Sequence, residues 1–174
     1  MLFRSECDRL TARINQFLAF AKPCEPSPEP VDPDRIIDEL TALLQPDLDA
    51  KDLKLTHLPT RPARTIRADR EMLRQALFNL MQNAIQFAPR GETVEVGVSG
   101  SEDGFCRIEV ADPGPGVADD AVDLLFTPYF TTRADGTGLG LAIVRRIAGA
   151  HGWQVGYSPR EGSGSVFWLD HIHG

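Results

Sequence analysis

The chain has 174 residues, enough for one domain with a short appendage and for a core that needs no disulfide or metal staple. Apolar residues make up 42% and charged residues 25%, which excludes a disordered or collagen-like protein. A net charge of -7, with the arginines and few lysines scattered rather than clustered, argues against a nucleic-acid partner.

Cys7, Cys24 and Cys106 form no C-x-x-C pair, so neither a disulfide scaffold nor a structural zinc site is expected, and a reducing compartment fits best. The apolar runs are far shorter than a membrane span, and the start MLFRSECDRL lacks the apolar stretch of a signal peptide. A soluble, cytoplasmic piece without membrane contact is the expectation.

In chain order, Phe3, Cys7, Leu10, Ile14, Phe17 and Ala21 step alternately by four and three, the seam of a coiled coil or bundle helix. Residues 1–22 are read as that helix, with a second copy of the chain as its expected partner. Five prolines between Pro23 and Pro33 make 23–33 an extended linker that cannot continue the helix.

Residues 34–174 read as the globular part. A helix is expected over 34–48 from Ile36, Ile37, Leu40, Leu43 and Leu44, with Pro33 and an Asp at its start. Short strands follow at 54–58 and 65–68. Asp69 caps a long helix to Phe87 whose core stripe is Leu73, Leu77, Leu80 and Ala84. Alternation predicts strands at 93–98 and 105–110, joined by Asp103-Gly104. A helix over 137–151 and strands at 153–157 and 165–169 complete the pattern, and His171 and His173 read as a solvated tail. Helices and hairpins in this order give an α+β fold: a two-layer sandwich of a mostly antiparallel sheet with helices on one face.

Three separated features carry chemistry. Asn79, Asn83 and Gln86 share one face of the long helix, either as a polar stripe toward a ligand or as a hydrogen-bonded, solvent-facing set. Asp112-Pro113-Gly114-Pro115-Gly116 follows a strand; it can place a carboxylate against a ligand amine, or be a plain turn. Gly136-Thr137-Gly138-Leu139-Gly140-Leu141 precedes a helix, where backbone N–H groups and the helix end suit phosphate oxygens. No Gly-Lys-Ser/Thr follows, so this is no P-loop, and the G-x-G-x-G spacing without a preceding strand is a poor Rossmann signature.

Together these residues resemble the ATP-binding domain of sensor histidine kinases, in the Bergerat-fold superfamily with gyrase B, Hsp90 and MutL. The segment 77–84 resembles the N box, 112–116 the G1 box, 125–133 the F box, 136–141 the G2 box and 162–167 the last glycine motif. The likeness runs from about Val31 to Leu169, and Glu6 to Pro23 resembles the second helix of the dimerisation and phosphotransfer hairpin.

The resemblance implies roles. Asp112 accepts a hydrogen bond from the adenine amino group, with Ser165 nearby where a threonine is usual. Gly114 and Gly116 let the backbone approach. Asn83 binds Mg²⁺ and Asn79 supports it; magnesium takes oxygen ligands and keeps waters, so few protein donors suffice. Residues 126–136 form a short ATP lid in which Arg133 is the cation near the terminal phosphates and Thr132 belongs to the nucleotide-binding set. Gly136, Thr137, Gly138, Leu139 and Gly140 complete the nucleotide-binding set.

Two positions depart from the family. Gln86 stands where a cation is common, with Arg90 one turn away, and Pro113 stands where Asn is common. Gyrase-type relatives place a hydrolytic glutamate where this chain has Asn79, so the resemblance implies phosphoryl transfer to protein rather than hydrolysis. None of the four histidines fits the phosphoacceptor pattern, so no catalytic residue beyond a phosphate contact by Arg133 is expected in this piece. The implied partners are ATP and ADP, a response-regulator receiver domain, and a second copy through the first helix in a parent whose membrane attachment stays open. The alternatives are an anti-sigma-factor-type serine kinase and a scaffold that binds no nucleotide.

Overall fold

A computed structural model describes residues 25–58, 65–100, 104–133 and 136–174. The heptad helix expected over 1–22 lies outside the described residues. The Pro-rich segment is not a free spacer over its whole length. Strand β1, Glu29–Val31, pairs antiparallel with β3, Ile66–Ala68, and Val31 is buried.

Helix α1, Pro33–Ala50, starts where Asp32 accepts the N–H groups of Asp34 and Arg35 at 3.0 and 3.4 Å. Pro33 occupies the first helical position, where a missing N–H costs nothing. Ile36, Ile37, Leu40, Leu44 and Leu48 face the core, whereas Leu43 is 52% exposed on the outer side. Strand β2, Lys54–Leu58, returns alongside, and both ring nitrogens of its His57 reach carboxylates of α1, Asp34 at 2.9 Å and Asp38 at 2.8 Å.

Helix α2, Arg70–Phe87, is capped by Asp69, whose Oδ1 accepts the Met72 N–H at 3.0 Å. Its other oxygen accepts the Ser27 N–H at 3.0 Å, and its own N–H donates to His151 Nε2 at 3.1 Å. One residue thereby ties the incoming chain, the start of α2 and the end of the last helix together. Burial works against the Asp69 carboxylate, but the N–H groups of Met72, Ser27 and Glu71 and the neighbouring His151 hold its pKa below the ordinary value. A lowered folded value means stability present above the unfolded pKa and lost as pH falls through the folded one. Asp69→Ala should therefore lower the unfolding free energy by about 1 kcal/mol at neutral pH. In urea titrations at a series of pH values, that difference should close below the unfolded carboxylate range, about pH 4.

The sheet has the order β2-β4-β5-β7-β6, where β4 is Thr93–Gly100, β5 Phe105–Asp112, β6 Gln154–Pro159 and β7 Ser165–His173. Only the β2–β4 pairing is parallel; the others are antiparallel. Val94, Val96, Ile108, Val110 and Leu169 point inward against Leu73, Leu77, Leu80 and Ala84 of α2, all fully buried. The opposite face is polar, with the Arg107 guanidinium 4.4 Å from the Trp168 ring and bonded to Glu109 and Asp170. This is the α+β two-layer sandwich with helices on one face.

Helix α3, Gly140–His151, begins three residues later than expected, because Gly138 has φ of 65° and turns the chain before the helix can start. It ends at Gly152 in the left-handed conformation. His171 and His173 are exposed to solvent as expected but are not a tail: β7 continues through both, and their rings lie 5.3 and 4.9 Å from that of Phe105 between centroids. Among the described residues, no helix is long and apolar enough to cross a membrane.

Candidate functional site

The C-terminal half of α2, the start of α3 and the facing ends of β5 and β7 surround a cavity of about 400 Å³. Asn79, Asn83 and Gln86 line it from α2, and Asp112 and Ser165 from the strand ends. Gly116, Thr132, Arg133, Gly136, Thr137, Gly138 and Gly140 line it from the loops. Two residues of the expected set do not. Leu139 is buried in the core, and Gly114 acts from behind, donating its N–H to Asp112 Oδ1 at 2.8 Å.

Asp112 is the last residue of β5, paired in register with Ser165, the first of β7. It is 1% exposed, and no donor among the described residues reaches its Oδ2. Burial pushes its pKa above the usual carboxylate value, against the pull of the Gly114 N–H and of Arg160. A buried acceptor left open at the bottom of a cavity is costly unless a ligand donor completes it. A Cβ on Gly114 would stand 2.5 Å from Asp112 Oδ1 and 3.0 Å from the Phe87 carbonyl oxygen, so only glycine fits that turn.

Asn79 is 8% exposed, and its Nδ2 donates to Gln75 O at 2.8 Å. Its Oδ1 faces α3: a Cβ on Gly140 would come within 3.3 Å of it, so a glycine there lets the two helices meet. No side chain caps the first turn of α3. Its N–H groups and the positive end of its dipole are therefore directed at the cavity edge formed by Gly138 and Gly140. The segment expected to form the lid is built back to back with this loop. Tyr129, at φ of 67°, donates its N–H to Gly138 O at 2.9 Å, and a Cβ on Gly138 would collide with the Tyr129 backbone.

Gln86 lies exposed on the rim. Arg133 sends Nη1 to the Gln86 carbonyl at 3.4 Å and holds its guanidinium 5.8 Å from the Phe87 ring. Arg90 does not take the place of a cation at Gln86: it lies outside the lining and donates to Ala50 O at 3.2 Å.

Beside the polar Gln82 and Thr131, most further wall residues absent from the expected set are apolar, among them Val117, Leu125, Phe130, Leu141 and Phe167. Of these, all but Val117 fall within the F box, G2 box or last glycine motif, but apolar side chains carry no donor or acceptor to mark them individually as ligand contacts. Apolar walls around one buried acceptor suit a flat base carrying an amino group, and an N–H-rich helix start suits phosphate.

Comparison with known proteins agrees with this chemistry. A sequence model of the histidine kinase-, DNA gyrase B-, and HSP90-like ATPase family matches residues 68–173. The chain belongs to this family. Within it, sensor histidine kinases are its relatives. It is 38% identical over 165 residues to the sensor histidine kinase ZraS of Escherichia coli K12, covering 94% of this chain and 35% of ZraS. Full-length ShkA in complex with AMPPNP superposes with a TM-score of 0.85 at 35% identity, over 98% of this chain and 37% of that one. The catalytic domain of histidine kinase ThkA superposes with a TM-score of 0.77 at 27% identity, over 84% and 96% of the two chains. ThkA has also been solved in complex with response regulator protein TrrA. The chain thus corresponds to the catalytic domain of histidine kinases, and it spans about a third of the length of the ZraS sequences.

Proposed function

We propose that this chain binds Mg·ATP and, in the parent protein, presents the γ-phosphoryl group to a histidine, from which a response-regulator aspartate takes it. The observation that carries the reading is the open buried oxygen of Asp112, which calls for a donor such as the adenine amino group. Guanine carries a carbonyl at that position and would oppose it. A scaffold without nucleotide would have no reason to keep a buried carboxylate half-satisfied.

Each remaining group has a role its chemistry supports. Gly138, Gly140 and the start of α3 would hold the phosphates by backbone N–H groups, and Arg133 would neutralise their charge. Asn83, with Asn79 behind it, would offer amide oxygens to Mg²⁺, a hard cation suited by such donors; the bound ion supplies charge neutralisation along the phosphates. Asn79 cannot abstract a proton from water, which supports transfer to protein over hydrolysis. None of the four histidines lines the cavity, so the acceptor would come from elsewhere in the parent. The response-regulator partner is supported by the ThkA–TrrA complex at the level of fold. Pairing of two copies through residues 1–22 rests on their heptad pattern, and a cytoplasmic location on composition.

Calorimetric titration with ATP and ADP, with and without Mg²⁺, tests the reading. Asn83→Ala should reduce the Mg²⁺-dependent part of ATP affinity by about tenfold or more, the order found when metal sites lose a supporting group. Metal-free ADP binding should stay near wild type. Equal Mg²⁺ enhancement in the variant would remove Asn83 from the metal, and no nucleotide binding by folded wild type would overturn the function.

A further inference from the structure

Lys51, in the turn after α1, belongs to none of the motifs and does not line the cavity. Its ammonium donates to three carbonyl oxygens at the end of α2: Ile85 at 2.9 Å, Gln86 at 2.8 Å and Ala88 at 3.1 Å. A helix end leaves such carbonyls without partners and carries negative charge. The last turn of α2 contains no basic residue, so the complementary cation is supplied from another element, 34 to 37 positions earlier in the chain.

A second cation converges on the same spot. Arg133 Nη1 reaches the Gln86 carbonyl that Lys51 already holds. Burial lowers the pKa of Lys51, and the Arg133 charge lowers it further, as expected for two cations sharing one helix end. Arg90, also at this corner, is engaged on Ala50 O.

We infer that Lys51 is a positioning residue for the nucleotide reaction: by holding the Ile85 and Ala88 carbonyls and the closer share of Gln86 O, it limits Arg133 to one long contact of 3.4 Å at the end of α2 and so keeps that arginine within reach of the terminal phosphates. Without the ammonium, three strong acceptors at the negative end of a helix would compete with the nucleotide for the Arg133 guanidinium. The inference rests on Arg133 as a phosphate contact, and the experiment separates the two.

Titrate the 174-residue chain with MgATP, MgADP and adenosine, as wild type, Lys51→Met, Arg133→Gln and the double variant. Lys51→Met should bind MgATP about tenfold more weakly, with a smaller loss for MgADP and none for adenosine. Arg133→Gln should show the same ATP-selective loss, and Lys51→Met should add nothing to it in the double variant. Equal losses for all three ligands would make Lys51 a merely structural clamp and overturn the inference. So would a Lys51→Met effect that persists in full beside Arg133→Gln. If Arg133→Gln alone binds MgATP like wild type, the phosphate role of Arg133 fails and the inference fails with it. Should Lys51→Met not fold, Lys51→Gln removes the same charge while retaining a donor, and the same ATP-selective loss is required of it.

Discussion

Replacing Asp112 by Asn should make the nucleotide-free domain more stable at neutral pH while weakening its hold on ATP. The carboxylate is 1% exposed, one oxygen takes the Gly114 N–H, and the other has no donor among the described residues. Asn keeps the shape and an acceptor for Gly114 but removes the buried charge. Burial raises the folded pKa of Asp112, so whatever stability this group contributes is fully present below the unfolded pKa and is lost as pH rises through the folded one. The advantage of the Asn variant should therefore be seen at neutral pH and shrink on acidification. Binding should move the other way. An Asn that keeps its oxygen on Gly114 turns an N–H₂ toward the adenine amino group, setting donor against donor. Loss of a hydrogen bond to a charged group costs about 1.5–3 kcal/mol, roughly ten- to a hundredfold in affinity. Preference for adenine over a 6-oxopurine nucleotide should fall with it. Thermal melts across pH and calorimetry with ATP measure both arms. Unchanged adenine affinity would place the base elsewhere.

Replacing Gly164 by Ala should cost more than any other single methyl group near the site. Gly164 has φ of 121°, in the region open essentially to glycine, and this conformation alone costs another residue about 1–3 kcal/mol. Its Cβ would overlap the Asp112 carbonyl oxygen and stand 3.0 Å from the Asp112 carbonyl carbon. The obstacle is backbone and cannot rotate away. Gly164 also accepts the Arg160 N–H at 3.2 Å and closes the β6–β7 turn against the strand end that carries Asp112. Either the strand ends part, displacing Asp112 and abolishing nucleotide binding, or the domain unfolds at a much lower temperature. Gly162→Ala is the matched control. It has φ of 85° and nothing within 4 Å of its Cβ, so only backbone strain of about 1–2 kcal/mol is expected, with binding retained. A Gly164→Ala variant that melts and binds like wild type would contradict the close approach of β7 to Asp112.

Much of the fold follows from local pattern. The apolar steps of α1 and α2 and their capping aspartates are properties of neighbouring residues, so periodicity and cap chemistry identify both helices before any partner is known. Alternation in β4 and β5 works the same way. The order of the N box, G1, F box and G2 motifs sufficed for the family. Where a left-handed glycine intervenes, as at Gly138, the start of α3 was misplaced because periodicity does not register φ. Leu43 shares the apolar pattern of α1 yet stays exposed, because periodicity identifies a helix without showing which apolar residues find a partner.

What only the tertiary structure decided is which groups meet across long separations. That β7 runs on through His173 depends on pairing with Phe105, far upstream. That Arg90 is spent on Ala50 O, while Lys51 and Arg133 share the Gln86 carbonyl, is invisible in a linear pattern. The open oxygen of Asp112 is of the same kind, since a carboxylate is satisfied or orphaned only by what folding brings beside it. Apolar burial is non-directional and leaves a periodic trace in sequence, whereas a hydrogen bond or charge pair depends on distances of a few ångströms that only the packed chain determines.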